Sequence, residues 1–231
     1  AGGFGDDGEQ NVISCGSYVG DGTTNKSKKI TLGYEPQFLI MKPAQSAPSG
    51  FNGWNMLDIM RGITTGGNDP TLLANTNGAE DTTNDLYSVE ADGFRHTYGG
   101  TAGNDNGITY IYIAIRRPMK TPEAGTEVFA VNAGTSTGVT SSFTTDLVFP
   151  AGGITGDTNY IGSRLQGGQS MNSYSTGIEQ DTSSNFVWDR QTGWGTNWDT
   201  YYAWMFKRAP GFMDVVCYTG DGISGREVPH N

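Results

Sequence analysis

The chain has 231 residues, 35 of them glycine, with 35% hydrophobic, 11% aromatic and only 16% charged side chains. Breakers spread this evenly exclude a mainly helical protein, and the apolar share is large enough for a core, which excludes wholesale disorder. A net charge of −10, with basic residues only in short pairs such as Lys28-Lys29 and Arg116-Arg117, excludes nucleic acid and an anionic membrane surface as partners.

In chain order, residues 1–10 are rich in Gly and Asp and read as an exposed arm. Ala1-Gly2-Gly3 has no signal-peptide pattern, no apolar run suggests membrane insertion, and the start on Ala1 points to a processed product or a fragment. Residues 11–18 alternate weakly and end in Val19-Gly-Asp-Gly22, a hairpin-type signal. Short strands are expected over 29–34 and over 37–42, the second an unbroken apolar run suited to cover on both faces. Residues 54–61 read as a strand bounded by Gly53 and Gly62. The runs 87–91 and 93–98 flank Asp92-Gly93, the strongest hairpin signal in the chain, and 108–115 is a strand ended by Pro118. A linker over 119–125 leads to strands at 127–131, 146–149, 159–161, 185–188 and 201–206. Short strands at this spacing predict an all-β fold of tandem β-sandwich modules, residues 11–118 and 126–210, with little helix.

The order repeats. Residues 71–80 match 170–179 at an offset of 99 (170 − 71), and the strand-and-joint segments Thr109–Pro118 and Tyr201–Pro210 match at an offset of 92 (201 − 109). Tyr18-Val-Gly-Asp-Gly22 returns as Tyr218-Thr-Gly-Asp-Gly222. This gives two complete copies of one unit and, over 211–231, the opening strands of a third.

The run Phe206-Lys-Arg-Ala-Pro-Gly-Phe-Met-Asp-Val-Val-Cys-Tyr-Thr-Gly-Asp-Gly222 closely resembles repeats in tail and other virion proteins of tailed bacteriophages. So do Thr31-Leu-Gly-Tyr-Glu-Pro-Gln-Phe-Leu-Ile-Met-Lys42 and Ile111-Tyr-Ile-Ala-Ile-Arg-Arg-Pro118. The resemblance implies lectin-like jelly-roll modules in a non-enzymatic virion protein of a tail or fibre, extracellular when mature. Its partners would be copies of itself, other virion proteins and a host-surface glycan. It brings no catalytic motif with it.

The residues themselves offer little catalysis. His96 reads as a solvent-facing strand residue, and Glu80 and Glu179 occupy equivalent places in separate units, where a repeated turn contact is expected rather than a paired-carboxylate cleft. A polysaccharide-degrading spike is the enzymatic alternative. No cofactor is expected: calcium would suit turns such as Gly5-Asp-Asp-Gly8, Asn104-Asp-Asn-Gly107 and Gly156-Asp-Thr-Asn159, but none has the full loop spacing. Cys15 and Cys217 read as buried thiols, with a disulfide between them the alternative.

Two binding features are expected. Trp188, Asp189, Trp194, Asn197, Trp198 and Asp199 place indole faces beside amides and carboxylates, the chemistry that meets a pyranose ring in a lectin, although the core is the favoured place for the tryptophans. Trp54 and Trp204, in strand patterns, are assigned to the core. Phe212, Met213, Val215, Val216 and Tyr218 form an apolar strand that either closes its own module or adds to a sheet of a neighbouring copy, the second being favoured.

Overall fold

The computed structural model describes residues 3–4, 10–23, 28–63, 67–98, 103–117, 120–152, 159–173, 176–218, 220, 222, 224–225 and 227–228. Their regular structure is strand, apart from single 3-10 turns at Gly125–Glu127 and Arg164–Gln166. The protein is all-β, and its strands pair antiparallel. Two compact units form: Ala1–Pro118 with Tyr218–Pro229, and Met119–Cys217 with His230–Asn231.

The first unit contains β1 (Gly3–Phe4), β2 (Gln10–Asn11), β3 (Ile13–Val19), β4 (Lys29–Thr31), β5 (Pro36–Pro43), β6 (Asn55–Asp58), β7 (Leu72–Leu73), β8 (Tyr87–Glu90), β9 (Gly93–His96) and β10 (Thr109–Arg116). β1 pairs with β2, and the larger strands build a five-stranded sheet, β3-β10-β5-β6-β7, and a three-stranded sheet, β4-β9-β8. Aromatic rings join the two larger sheets into a sandwich. Phe94 of β9 meets Tyr18 edge-on at 6.3 Å and Tyr112 at 5.6 Å, while Tyr18 stacks on Tyr110 at 5.2 Å. Leu39, Met41, Leu57, Phe94 and Ala114 have no exposed surface.

The β8–β9 hairpin forms as expected, but its two-residue turn is Ala91-Asp92, with Glu90 opposite Gly93. Gly93 is needed for another reason. A Cβ there would lie 2.1 Å from the Ile30 carbonyl oxygen of β4, so only glycine lets the two strands approach. β5 also departs from expectation, because its run is not covered on both faces. Leu39 and Met41 are fully buried, whereas Phe38, Ile40 and Lys42 on the other face are half-buried.

The second unit contains β11 (Phe129–Ala133), β12 (Leu147–Ala151), β13 (Tyr160–Ser163), β14 (Gln169–Asn172), β15 (Gln180–Asp181) and β16 (Tyr202–Phe206), in one sheet of order β11-β16-β12-β13-β14-β15. This is the order of the first unit: opening strand, closing strand, then a meander. The register agrees as well. Thr71 bridges Asp81 in the first unit, and Ser170 pairs with Gln180 in the second, both displaced by 99 (170 − 71 and 180 − 81).

For β10 and β16 the offset from sequence is corrected. Ala114 and Met205 are the fully buried residues paired with Leu39 and Val148, an offset of 91 (205 − 114) rather than 92. An even offset is impossible here, since a slip by one residue moves every side chain to the other face.

The second layer of this unit is not a sheet among the described residues. The expected strand at 185–188 does not form; that stretch is held by local turns, Phe186 N–H to Thr182 O at 3.0 Å and Arg190 N–H to Trp188 O at 2.7 Å. Isolated bridges Val139–Trp194 and Thr144–Gly193 fasten the aromatic segment over the sheet.

Candidate functional site

Each strand of a half-covered sheet shows one set of side chains to the core and the alternate set to solvent. In both units a central row of the outward set is apolar. Across the first unit runs a row Cys15–Ile113–Ile40–Met56–Leu72, one residue from each strand, paired neighbour to neighbour. The equivalent row of the second unit joins Val131, Trp204 and Phe149 by direct pairing and continues through the Ile161–Met171 pair. The same row has therefore been kept apolar in both copies.

The second unit carries the larger patch. On its three central strands nine outward residues form a grid: Phe129–Phe206–Leu147, Val131–Trp204–Phe149 and Ala133–Tyr202–Ala151. Phe206 contacts Phe129 at 5.0 Å and Phe149 at 5.8 Å between ring centroids. Tyr202 is 61% exposed and Trp204 39% exposed. None of the nine is charged at neutral pH.

Three of the tryptophans take the core place favoured for them, and two assigned to the core do not. Trp188, Trp194 and Trp198 are at most 6% exposed and form a core cluster with Phe186, Val148 and Met205. Trp194 lies 4.8 Å from Trp198 and 5.1 Å from Phe186, and the Trp188 and Trp198 indoles donate to the carbonyls of Gly167 and Asn185. Asp189, Asn197 and Asp199 are at the surface, but no indole face of these three is offered to solvent beside them. The segment weighed as a sugar platform is thus the inner layer of the second unit. Trp204, assigned to the core, is at an outward position of its strand ladder, and Trp54, one residue before β6, is half-buried beside outward Lys42. The signal was in the alternation of their neighbours: Ala203 and Met205, flanking Trp204, are the buried pair.

Around Trp54 the two units differ. Lys42 and Trp54 lie side by side where β5 and β6 leave the sheet, the Lys42 ammonium 5.8 Å from the indole centroid. The Trp54 backbone is held by the 73–75 turn: its N–H donates to Asn75 Oδ1 at 2.9 Å and its carbonyl accepts from Ala74 N–H at 3.0 Å. Beside this pair is an open cavity of about 270 Å³ lined by Lys42, Pro43, Ala44, Gln45, Ser46 and Asn52. In the second unit the positions of Lys42 and Trp54 are taken by Ala151 and Asn159, by the register of β12 and β13.

The remaining sequence candidates have structural roles. Arg61 donates to Glu80 Oε1 at 2.8 Å, and Gln166, its equivalent, donates to Glu179 Oε1 at 2.8 Å, so each glutamate makes the same turn contact in its own unit. In the 104–107 turn the Asn104 and Asp105 side chains hold the fold together. Asn104 Oδ1 accepts from Asp21 N–H, and Asp105 accepts from Ser49 and from the Tyr110 hydroxyl at 2.7 Å. Hydrogen bonds from the Thr23 hydroxyl and backbone N–H hold Asp21 down at about 2. Among the described residues no group of three or more His, Cys, Asp or Glu could hold a metal ion; residues 5–8 and 156–158, the other turns considered for calcium, lie outside them.

His96 is buried, not solvent-facing, with Tyr87 edge-on at 5.5 Å. Cys15 is exposed on the outward row and Cys217 is half-buried, and no disulfide joins them. The apolar strand expected over 212–218 does not form. After the Ala209–Met213 bridge the chain carries no strand among the described residues, and buried Arg208 holds Asp214 at 2.7 Å. Val215 and Val216 are half-buried, and Phe212 and Tyr218 are exposed. The tether to Arg208 keeps Asp214 beside the end of β16.

Residues 12–118, nearly the whole continuous part of the first unit, match a domain family described as a domain of unknown function, DUF7483. No curated protein matches the chain, and no solved structure does.

Proposed function

We propose that the chain is a non-enzymatic structural module of a tailed-bacteriophage particle, and that the outward face of its second unit binds a second copy of the chain. The single observation carrying this reading is the nine-residue apolar grid of the β11-β16-β12 face on a chain of net charge −10. Two such chains repel one another over most of their surface. They approach best through a face that holds no charge to desolvate.

The size suits this role. A fully exposed aromatic side chain offers about 150–250 Å², so the exposed parts of the grid and Met171 present roughly 500 Å² of apolar surface, the range in which patches on a folded chain are commonly contact sites. With the polar rim around it, the face approaches the ~800 Å² per partner of an ordinary stable interface. The place in a phage particle rests on the sequence resemblance of the joint segments, and a tail or fibre remains the position that resemblance implies.

Sedimentation of the chain beside a Phe149→Ser, Trp204→Ser double variant tests the assembly. The wild type is expected as a dimer or larger species and the variant as a monomer with an unchanged melting temperature. A monomeric wild type at about 100 μM, a concentration that populates any interface of useful affinity, overturns it. Release of reducing ends from host polysaccharide overturns the non-enzymatic part, and tail genes beside its own support the virion part.

A further inference from the structure

We propose that the Lys42–Trp54 groove of the first unit binds a saccharide carrying a carboxylate, one sugar ring stacking on the Trp54 indole and its carboxylate meeting the Lys42 ammonium. This binding is independent of the assembly face, because it uses only the first unit and residues that the second unit lacks.

The groove combines three features. The first is a fixed aromatic surface. Trp54 is half-buried, and its backbone is bonded on both sides to the 73–75 turn, so little ordering is needed when a ring settles on it. It stands beside the cavity rather than in its lining, joined to it through Lys42, and offers the apolar surface that the C–H face of a pyranose meets.

The second is the donor set. Lys42 forms no ion pair among the described residues, and no carboxylate lines the cavity. Asn52 Oδ1 is already used, accepting from Ala47 N–H at 2.7 Å, which leaves its NH₂ group as a donor. Ser46 and Gln45 are exposed and add a hydroxyl and an amide. A wall dominated by donors around one cation selects an oxygen-rich anion. In a chain with ten more acidic than basic groups, a cation without a carboxylate beside it is a local exception.

The third is size. About 270 Å³ lies just below the ~300 Å³ at which pockets for larger organic ligands begin, so the cavity takes one ring, the neighbour of the ring on Trp54, and leaves the rest of a chain in solvent. The comparison between the units points the same way. The apolar row is kept in both copies, but the ammonium and the indole occur in the first alone, with Ala151 and Asn159 at the matching places.

The test is titration calorimetry of the whole chain with trigalacturonate, maltotriose and inorganic phosphate. The wild type is expected to bind trigalacturonate about tenfold more tightly than maltotriose and not to bind phosphate measurably. Lys42→Met, a change at a solvent-facing position, should bring the two sugars to equal affinity, and Lys42→Arg should restore the preference. Trp54→Ala should lose both sugars, with Trp54→Phe retaining part of the affinity and controlling for folding. Absence of heat with trigalacturonate at about 10 mM, equal binding of both sugars by the wild type, or competition by phosphate overturns the proposal.

Discussion

Arg164 shows how a single side chain holds the second unit together. It is 2% exposed, yet each guanidinium nitrogen has work: Nε donates to the Thr145 carbonyl at 3.0 Å, Nη1 to that of Trp188, and Nη2 to that of Arg190 at 3.4 Å. The plane also lies 5.5 Å from the Trp188 ring centroid, and Nε is 3.7 Å from Asp146 Oδ1. A charge this deep is tolerated only because carbonyls and a carboxylate surround it. Arg164→Met fills much of the volume but strands those acceptors without a donor. It is expected to lower stability by about 3–5 kcal/mol, read by urea unfolding followed through tryptophan emission. A loss below about 1 kcal/mol, the range of exposed ion pairs, would show that the acceptors find water instead. The sequence gives no hint of this arginine, since Ser163-Arg164-Leu165 has neither a charged partner nearby in the chain nor an alternating pattern that would place it inside.

At the scale of the strand, the two units solve one packing problem differently. Val148 of β12 pairs with Met205 on one side, and Leu39 of β5 pairs with Ala114; their neighbours on the next strand are Gly162 and Leu57. The leucine fills the first core itself. In the second, the missing side chain makes room for Phe186, whose Cε1 would lie 2.2 Å from a Cβ at Gly162. Gly162→Ala therefore must shift Phe186 and disturb its packing with Trp194 and Trp198, its neighbours at 5.1 and 5.2 Å. A cost of about 1–3 kcal/mol is expected, with a weakened near-ultraviolet circular dichroism signal from the tryptophans; an unchanged spectrum would contradict the packing. Most strands were legible from the sequence because a period of two survives in short runs such as Thr109–Arg116. Facing was not, since an offset of 92 and one of 91 look alike in composition but differ by a flip of the sheet. A strand pattern alone likewise does not say which face Trp54 and Trp204 are on. The layer holding Trp188, Trp194 and Trp198 was illegible for a further reason: loops fastened by single bridges have no period to read.

At the scale of the molecule, the two units differ in what they bury, and pH should separate them. The first unit encloses Tyr18, Tyr87 and Tyr110, and burial raises all three phenols above their ordinary value, with the Asp105 hydrogen bond adding to the rise at Tyr110. A folded-state pKa above the unfolded one stabilises the fold as long as both states are protonated, below about pH 10. As pH rises past that value the unfolded chain releases protons that the folded unit keeps. Each phenol then removes about 1.4 kcal/mol of stability per pH unit. Three acting together exhaust the 5–15 kcal/mol of an ordinary domain within a few units. Four of the five tryptophans, Trp188, Trp194, Trp198 and Trp204, lie in the second unit, so the units carry separate optical reporters. Alkaline titration should therefore show a cooperative rise in tyrosinate absorbance between about pH 10 and 12 while the emission of the buried tryptophans holds. Tyr87→Phe should move that rise to higher pH, because one of the protons driving it is gone. A change in tryptophan emission coincident with the tyrosinate rise would mean that the two units unfold as one, and a gradual rise without a cooperative step would mean that these phenols are reached by water in the folded protein.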